Sequence, residues 1–457
     1  MGLKVIIIGA GLAGSLLANG LLNHAIELTV YERDQPASSR TGYLIRLGDD
    51  ATRGFRACLS EAQVAHLHGK FSQTDVSLST APAIYSNQYR PLVDLSRLPG
   101  YTKGGSINRL VLRDELLKPI TAADRVRFGK TFSHYQILQN GDGREDVVVH
   151  FTDGTSDRCD VLIGADGSAS KINAQVGARN LVEIKSHWSF HAKGRLPLDR
   201  VQKLPRKLLE APIAVFHKGA LLYYALYIPS AGRRLHGKHD IVDGKYDESM
   251  ASFYWGLNIP RPDIPYESLS DIPNRRSLCE DYIRDWAPEL RTMITLGSTD
   301  NDADDMYAAK LRASTRLPDT WRSQCAGATI EEGHPRVWLL GDAIHAMLPN
   351  RGQGGNQALH DCADILPELI HLNQLVQDGK TLSSEDLAQA CSRYETKMFP
   401  RAFDWVKKSG GVVADPPFPL DGLLGYVVSV LAGVAIPVAV LASRVGLFVR
   451  SLWPSRA

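Results

Sequence analysis

The sequence predicts an α/β fold: a parallel sheet clothed in helices, with an inserted antiparallel sheet and an apolar C-terminal extension. Three observations predict it. A β-branched apolar run at residues 5–8 leads into a glycine loop, a helical stretch and a second strand that ends in an acid. Two later apolar runs, 160–163 and 337–340, each end at a glycine–acid corner. Between those two runs lie long aromatic strands with a two-residue alternation.

Each element follows from local chemistry. Continuous β-branched runs suit strands buried on both faces of a parallel sheet. After residues 5–8 come Gly9-Ala10-Gly11-Leu12-Ala13-Gly14, then apolar residues at helical spacing over 15–22, then a strand over 26–31 that ends at Glu32. That order is one βαβ unit. Hairpin strands begin near 147, and the strand 160–163 runs into Gly164-Ala165-Asp166-Gly167. Aromatic strands are expected at 186–192, 220–228 and 252–257. In the middle one, Leu221, Tyr223, Ala225 and Tyr227 share one face, and Leu222, Tyr224 and Leu226 the other. A helix is expected over 277–292, a strand over 337–340, and helices over 356–372 and 385–403. No internal repeat is evident.

Composition narrows the class. The chain has 457 residues, 44% hydrophobic and 22% charged, enough for a sizeable core. A net charge of +2 gives no footprint for nucleic acid. The six cysteines show no C-x-x-C spacing, so neither a zinc site nor a disulfide framework is expected, and a reducing, cytoplasmic setting is. The N-terminus lacks the features of a signal peptide.

Three motifs carry chemistry. In Gly9-x-Gly11-x-x-Gly14, the first glycine permits a tight turn. The second lets backbone N–H groups approach a pyrophosphate, and the third lets helix and strand pack closely. Glu32 is placed to accept both hydroxyls of an adenosine ribose. The alternative, a glycine turn that binds nothing, fits the strand–loop–helix–strand–acid context poorly. Gly164-Ala165-Asp166-Gly167 would alone read as a surface turn. Gly341-Asp342, followed by the glycine-rich stretch 349–356, would alone read as a strand end and a helix cap.

Together the three motifs resemble the group A FAD-dependent monooxygenases, the aromatic-ring hydroxylases and related epoxidases, over residues 4–403. The resemblance implies that Gly9, Gly11, Gly14 and Glu32 hold the ADP half of FAD; Arg33, next to Glu32, is read from its position as touching the adenosine phosphates, with a merely solvated arginine as the alternative. Arg109, opening the stretch Arg109-Leu110-Val111-Leu112-Arg113-Asp114, would contact the flavin. Asp166 and Gly167 would form the Asp-Gly motif shared by FAD and pyridine nucleotide. Asp342 would bond the ribityl chain, and Gly355 and Asn356 would approach the isoalloxazine. Where the family often places an arginine after this Asp-Gly motif, the chain has Asn173.

NADPH or NADH would reduce the flavin, and a C4a-hydroperoxyflavin would hydroxylate or epoxidise an aromatic or isoprenoid-bearing molecule, as in fungal secondary metabolism. Arg46, Tyr223 and Pro349 are the candidates for the reaction chamber, with Tyr43 beside Arg46. His345 is expected to be structural. Tyr224, His187, Trp188 and Trp255 are further candidates for lining the chamber, with ordinary sheet core the expectation for each singly. Two other readings compete. A flavin-dependent halogenase would carry Gly-Trp-x-Trp-x-Ile-Pro, of which Tyr254-Trp255-Gly256-Leu257-Asn258-Ile259-Pro260 keeps one tryptophan and the Ile-Pro. The other is a non-catalytic protein on the same fold.

The expected organisation is an FAD-binding part over 1–180 and 321–410, and a substrate domain over 181–320 with added segments around 65–105. An apolar extension follows at 411–457. Residues 422–443 carry no Asp, Glu, Lys, Arg or His. At ~1.5 Å per residue a continuous helix of that length would cross a ~30 Å hydrocarbon layer. Pro437 interrupts it, and Arg444, Arg450 and Arg456 follow. Membrane association through 422–449, or a helical pair packed on the body, are the two readings of this tail.

Overall fold

The computed structural model describes residues 2–36, 44–71, 82–95, 105–139, 145–227, 251–296, 306–325, 327 and 329–412. A five-stranded sheet, every neighbouring pair parallel, forms the base. Its spatial order is Val337–Leu339, Val161–Gly164, Lys4–Ile8, Glu27–Glu32, Val126–Phe128. The strand Lys4–Ile8 sits at the centre, and Val5, Ile6 and Ile7 are fully buried, as a β-branched run between two helical layers requires. The helices Leu12–Asn23, Gly354–Gln377 and Ser384–Lys408 supply much of the cover. A three-stranded antiparallel meander, Phe132–Gln139, Glu145–Phe151 and Ser156–Cys159, connects the edge strand Val126–Phe128 to Val161–Gly164.

Register brings the loops to one level. Ile8 lies opposite Tyr31 on one side and Gly164 on the other, and Gly164 lies opposite Leu339. All these strands run the same way, so the residues that follow them emerge along one edge of the sheet.

A second, seven-stranded sheet has the order Met306–Ala309, His187–Arg195, Ser252–Pro260, Ala220–Tyr227, Ile213–His217, Ala83–Tyr85, Pro91–Asp94. All its pairs are antiparallel except Ile213–His217 with Ala83–Tyr85. It has its own core: Trp188, Phe190, Tyr224, Phe253, Trp255 and Leu257 pack with the helices Arg275–Tyr282 and Pro288–Leu296. These two helices replace the single helix expected over 277–292. Pro288 has no N–H to donate to the preceding turn, so it opens a new helix instead of continuing the old one. A two-stranded ribbon, Leu44–Leu47 with Gly105–Asn108, lies beside the second sheet and feeds the helix Arg109–Ala122.

Among the described residues no helix is long and apolar enough to cross a membrane. The apolar tail from 413 onward lies outside the described residues, as does Tyr43.

The close crossing of the helices Asp49–Cys58 and Gly354–Gln377 depends on Gly54, where a Cβ would lie 2.0 Å from the Leu359 carbonyl oxygen. Gly54→Ala should therefore destabilise the protein by about 3 kcal/mol, because backbone on both sides resists the shift. Urea unfolding of the variant against the wild type measures this.

Candidate active site

The glycine loop starts directly after Ile8. Gly9 has φ +109°, and a Cβ there would lie 2.4 Å from the Ala165 carbonyl oxygen. A Cβ on Gly14 would lie 2.1 Å from the Gly9 carbonyl oxygen. These two glycines let three segments of backbone touch: the loop, the first turn of the helix, and the corner 164–166. Gly11 differs, because a Cβ there meets nothing within 4 Å. It caps the helix Leu12–Asn23 with no side-chain bond and with no acid in the first turn. That leaves a positive helix terminus facing open space, as a phosphate site requires.

Glu32, buried at the end of its strand, spans this loop. Its carboxylate accepts from the Ala10 N–H at 2.8 Å and from the Asp34 N–H at 3.0 Å. Arg113 closes the arrangement: it donates to the Ala10 carbonyl at 3.0 Å and lies 3.9 Å from Glu32. The sequence reading did not single out Arg113. The available signal was its spacing, four residues after Arg109 and so on the same side of one helix. Arg33 is exposed just beyond Glu32.

At the second corner, Gly167 has φ +80° and open space where a Cβ would project. Asp166 accepts from the Lys171 N–H at 3.1 Å, while its Oδ1 is buried without a partner. Burial pushes its carboxyl up, against the pull of Ser170 and nearby backbone N–H groups. Asn173 is buried and donates to Asn180 and to the Ala343 carbonyl, each at 2.8 Å. It therefore ties the second corner to the third.

The third corner begins at Gly341, with φ +62°, and Asp342. Asp342 is solvent-exposed, yet the protein mass around it pushes its carboxyl up, opposed by His345 and Arg109 and reinforced by Asp361. A group that is accessible but surrounded marks a concavity. Its Oδ1 lies 3.7 Å from where a Cβ on Gly354 would stand, at the start of the long helix Gly354–Gln377. That helix also begins without a side-chain cap or an acid in its first turn. Gly355 faces open space. Asn356 is buried and its side chain is fully engaged: Oδ1 accepts from the Gly48 N–H at 2.8 Å, and Nδ2 donates to the Arg46 carbonyl at 2.9 Å and the Gly352 carbonyl at 3.1 Å. What it offers outward is the backbone N–H of a first helical turn. Pro349 opens a 3-10 turn in the loop before this helix and is exposed.

The ribbon carrying Arg46 thus lies against the start of the long helix. Tyr223, on the second sheet, stands near Arg46; burial pushes its hydroxyl up to about 12, with Arg46 pulling the other way. Tyr224, Trp188 and Trp255 are in the second core, as the sequence reading expected of each singly, while His187 lies toward the surface, bonded to the Gly219 carbonyl at 3.1 Å.

Behind the third corner runs a buried polar network that sequence reasoning missed. Asp361 accepts from the Gly341 N–H at 2.9 Å, from His345 at 2.6 Å and from Arg401 at 2.8 Å. Arg401 also bonds Asp364 at 2.8 Å and Gln357 at 2.6 Å, and Gln357 bonds Asp50 at 2.8 Å. Burial pushes Asp361 up, but His345 and Arg401 outweigh it and hold the carboxyl below its ordinary range. No local motif announces these partners.

Comparison with known proteins agrees with the geometry. Residues 319–378 match the family model described as FAD binding domain. The chain is 26% identical over 444 residues to the dual O-methyltransferase/FAD-dependent monooxygenase elcB of Phaeosphaeria nodorum, covering 89% of this chain and 45% of that protein. It is 25% identical to the FAD-dependent monooxygenase thnD of Trichoderma harzianum, covering 89% of this chain and 92% of thnD. The chain thus spans less than half the length of some curated relatives and nearly all of others. A putative FAD containing monooxygenase from Photorhabdus luminescens shares the fold with TM-score 0.66 at 23% identity, over 90% of this chain and 98% of that one. The HpxO of Klebsiella pneumoniae, solved with FAD and uric acid, does so with TM-score 0.59 at 22% identity, over 89% and 87%. The fold is therefore that of solved FAD-containing monooxygenases, and the corners have the features of a dinucleotide-binding edge. The chain is similar to FAD-dependent monooxygenases of group A, fungal enzymes among them.

Replacing Asp361 by Asn should cost about 3–5 kcal/mol at neutral pH, because it leaves the Arg401 charge buried without its main counter-charge. The carboxylate contributes fully above the unfolded Asp value of about 4, and that contribution is lost as pH falls through the lowered folded value. The stability gap between wild type and Asp361→Asn should therefore narrow in acid, as read by urea unfolding across the pH range.

Proposed function

We propose that the protein binds FAD along the edge where the corners emerge and uses NAD(P)H and O2 to hydroxylate or epoxidise a hydrophobic aromatic or isoprenoid-bearing small molecule in secondary metabolism. The observation that carries this reading is the convergence of the Gly11, Asp166 and Asp342 corners on one sheet edge, with Tyr223 of a separate sheet brought against Arg46 beside the third corner. In the same reading the FAD-binding part is residues 1–180 and 321–410. The substrate domain is residues 181–320, with strands from 65–105 added to its sheet.

The site fits the group. Gly11 leaves space beside an uncapped helix terminus for a pyrophosphate. Glu32 stands at the strand end for the adenosine ribose. The partnerless Oδ1 of Asp166 and the surrounded carboxyl of Asp342 are acceptors available to a hydroxylated chain. When bound, FAD supplies the redox chemistry that carries reducing equivalents from nicotinamide to dioxygen. The residues of the chain bind and orient. Arg109 and Arg113 both belong to one helix, so one element serves the flavin and the adenosine ends. The terminus of Gly354–Gln377, presenting the N–H groups of Gly355 and Asn356, favours negative charge on the ring system. Arg46, Tyr223 and Pro349 wall the chamber, and the aromatic sheet excludes water from it. Relatives named as FAD-dependent monooxygenases support the reaction class.

Purified protein should take up FAD and turn yellow, and should oxidise NADPH faster when a suitable flat apolar substrate is present. Gly11→Val should weaken FAD binding about a hundredfold by obstructing one or two charge-assisted bonds. The apo protein's Tm should be unchanged, because the new side chain enters open space. Wild-type protein that stays colourless after incubation with FAD overturns the reading.

A further inference from the structure

Arg113, on the helix Arg109–Ala122, is only 9% exposed. A guanidinium cation is costly to bury unless its N–H groups find acceptors, and it carries donors on three nitrogens. Here the chain satisfies one of them: Nε donates to the Ala10 carbonyl at 3.0 Å. Nη2 lies 3.9 Å from Glu32, near enough for attraction but too far for a hydrogen bond. Among the described residues neither Nη2 nor Nη1 has a hydrogen-bond acceptor. Nor do these two belong to the side-chain atoms that are buried without a partner, so both keep access to solvent. Glu32 does not complete the set, because its two oxygens already accept from the Ala10 and Asp34 N–H groups. The result is a nearly buried cation, fixed at its inner nitrogen, with its outer N–H groups unmatched by the chain.

Its two anchors say where those N–H groups stand. Ala10 is followed directly by Gly11, the uncapped start of the helix Leu12–Asn23, where a Cβ would meet nothing within 4 Å. Glu32 ends the neighbouring strand. The guanidinium therefore occupies the joint between a bare helix terminus and the acid beside it. Two separate sources of positive charge, a side chain and a helix end, meet at one open space. A diphosphate has the charge and the oxygens to serve both at once, whereas an uncharged nucleoside serves neither. Arg33 differs in kind. It is exposed just past Glu32, so water and salt screen its charge. Arg113 is shielded from that screening by its burial and held in place by a backbone carbonyl, so little ordering is needed when an anion arrives.

We propose that Arg113, in place of Arg33, is the side chain that binds the diphosphate of the dinucleotide, and that it sets the preference of this end of the site for a nucleoside diphosphate over a nucleoside. Glu32 is then left to the ribose, and the two residues divide the adenosine half between them: the acid reads hydroxyls, the guanidinium reads charge. Arg113 is a binding residue with no part in the chemistry. The inference rests on the flavin-site reading, because it takes the edge at Gly11 as the adenosine end of the site.

The test titrates full-length protein, freed of flavin, with ADP and with adenosine, and reads the heat of binding. Wild type should bind ADP about a hundredfold more tightly than adenosine, the worth of the charge-assisted bonds to Arg113 and to the helix end together. Arg113→Gln should weaken ADP about thirtyfold and adenosine by less than about twofold. Loss of one ligand with the other retained is a result that misfolding does not produce. Arg113→Lys keeps the charge without the fork and should fall between, weakening ADP about fivefold; it decides the matter if Arg113→Gln fails to fold. In wild type the preference for ADP should shrink as salt is raised, and in Arg113→Gln it should shrink less. Equal weakening of both ligands makes Arg113 a prop for the loop and overturns the proposal. So does an undiminished preference in Arg113→Gln, or a preference lost in Arg33→Gln alone. Those results leave the flavin reading standing where the wild type takes up FAD. A wild type that binds ADP with this Arg113 dependence but takes up no FAD overturns the flavin reading and leaves Arg113 as the diphosphate reader, and one that binds neither overturns both.

Discussion

Neighbouring parallel strands share a direction, and here they also share a level. Ile8, Tyr31, Gly164 and Leu339 lie side by side in register, so Gly9, Ala165 and Leu340 leave the sheet together, beside Glu32 at the end of its own strand. The glycine loop at 9–14 and the glycine–acid corners at 164–167 and 341–342 are far apart in the chain but adjacent in space for this reason. Close approach follows from it. The contact of Gly9 with the Ala165 carbonyl exists because the two loops start from paired residues, and a side chain at Gly9 would force them apart. Shift one strand by a residue and the site would be dismantled without losing a single functional group.

A second constraint keeps the third corner in place. Asp361, fully buried, holds the Gly341 N–H, His345 and Arg401 at once. Through Arg401 and Gln357 it is linked to Asp50 on another helix. Asn173 and Asn180 do the same from the other side, bonding the Ala343 and Ile344 carbonyls. Asp342 is thereby placed by a frame of bonded polar groups, in which His345 Nδ1 alone of these side-chain atoms is buried without a partner, and so a solvent-accessible acid is held in a fixed position.

The second sheet divides its labour by alternation. One face packs aromatic side chains on two helices and supplies the stability of that layer. The other is polar at chosen points, and there Asn258, Ser189, His191 and Tyr254 are joined by hydrogen bonds in a region otherwise built of rings. Tyr223 joins that face to the ribbon carrying Arg46, and Asn356 joins the ribbon to the long helix. Among the described residues, Tyr223 and Asn356 thus link the second sheet, the ribbon and the long helix, the first held by burial and the second by bonds to backbone.

The sequence alone determined what is local. The strand–glycine loop–helix–strand order, the acid at the strand end, the three corners and the two-faced aromatic strands are all patterns within a few residues of chain, set by backbone sterics and by the two- and 3.6-residue periods. It misjudged the helix after 277, because the periodicity continued across a break that Pro288 enforces. It passed over Arg113, Asp361, Arg401 and the His191–Tyr254 pair. A buried polar residue is defined by partners, and theirs lie tens to hundreds of residues away: Arg113 finds Ala10, Asp361 finds Arg401, His191 finds Tyr254. Only the tertiary structure could decide these, since a hydrogen bond across the chain leaves no spacing to read in either of the segments it joins.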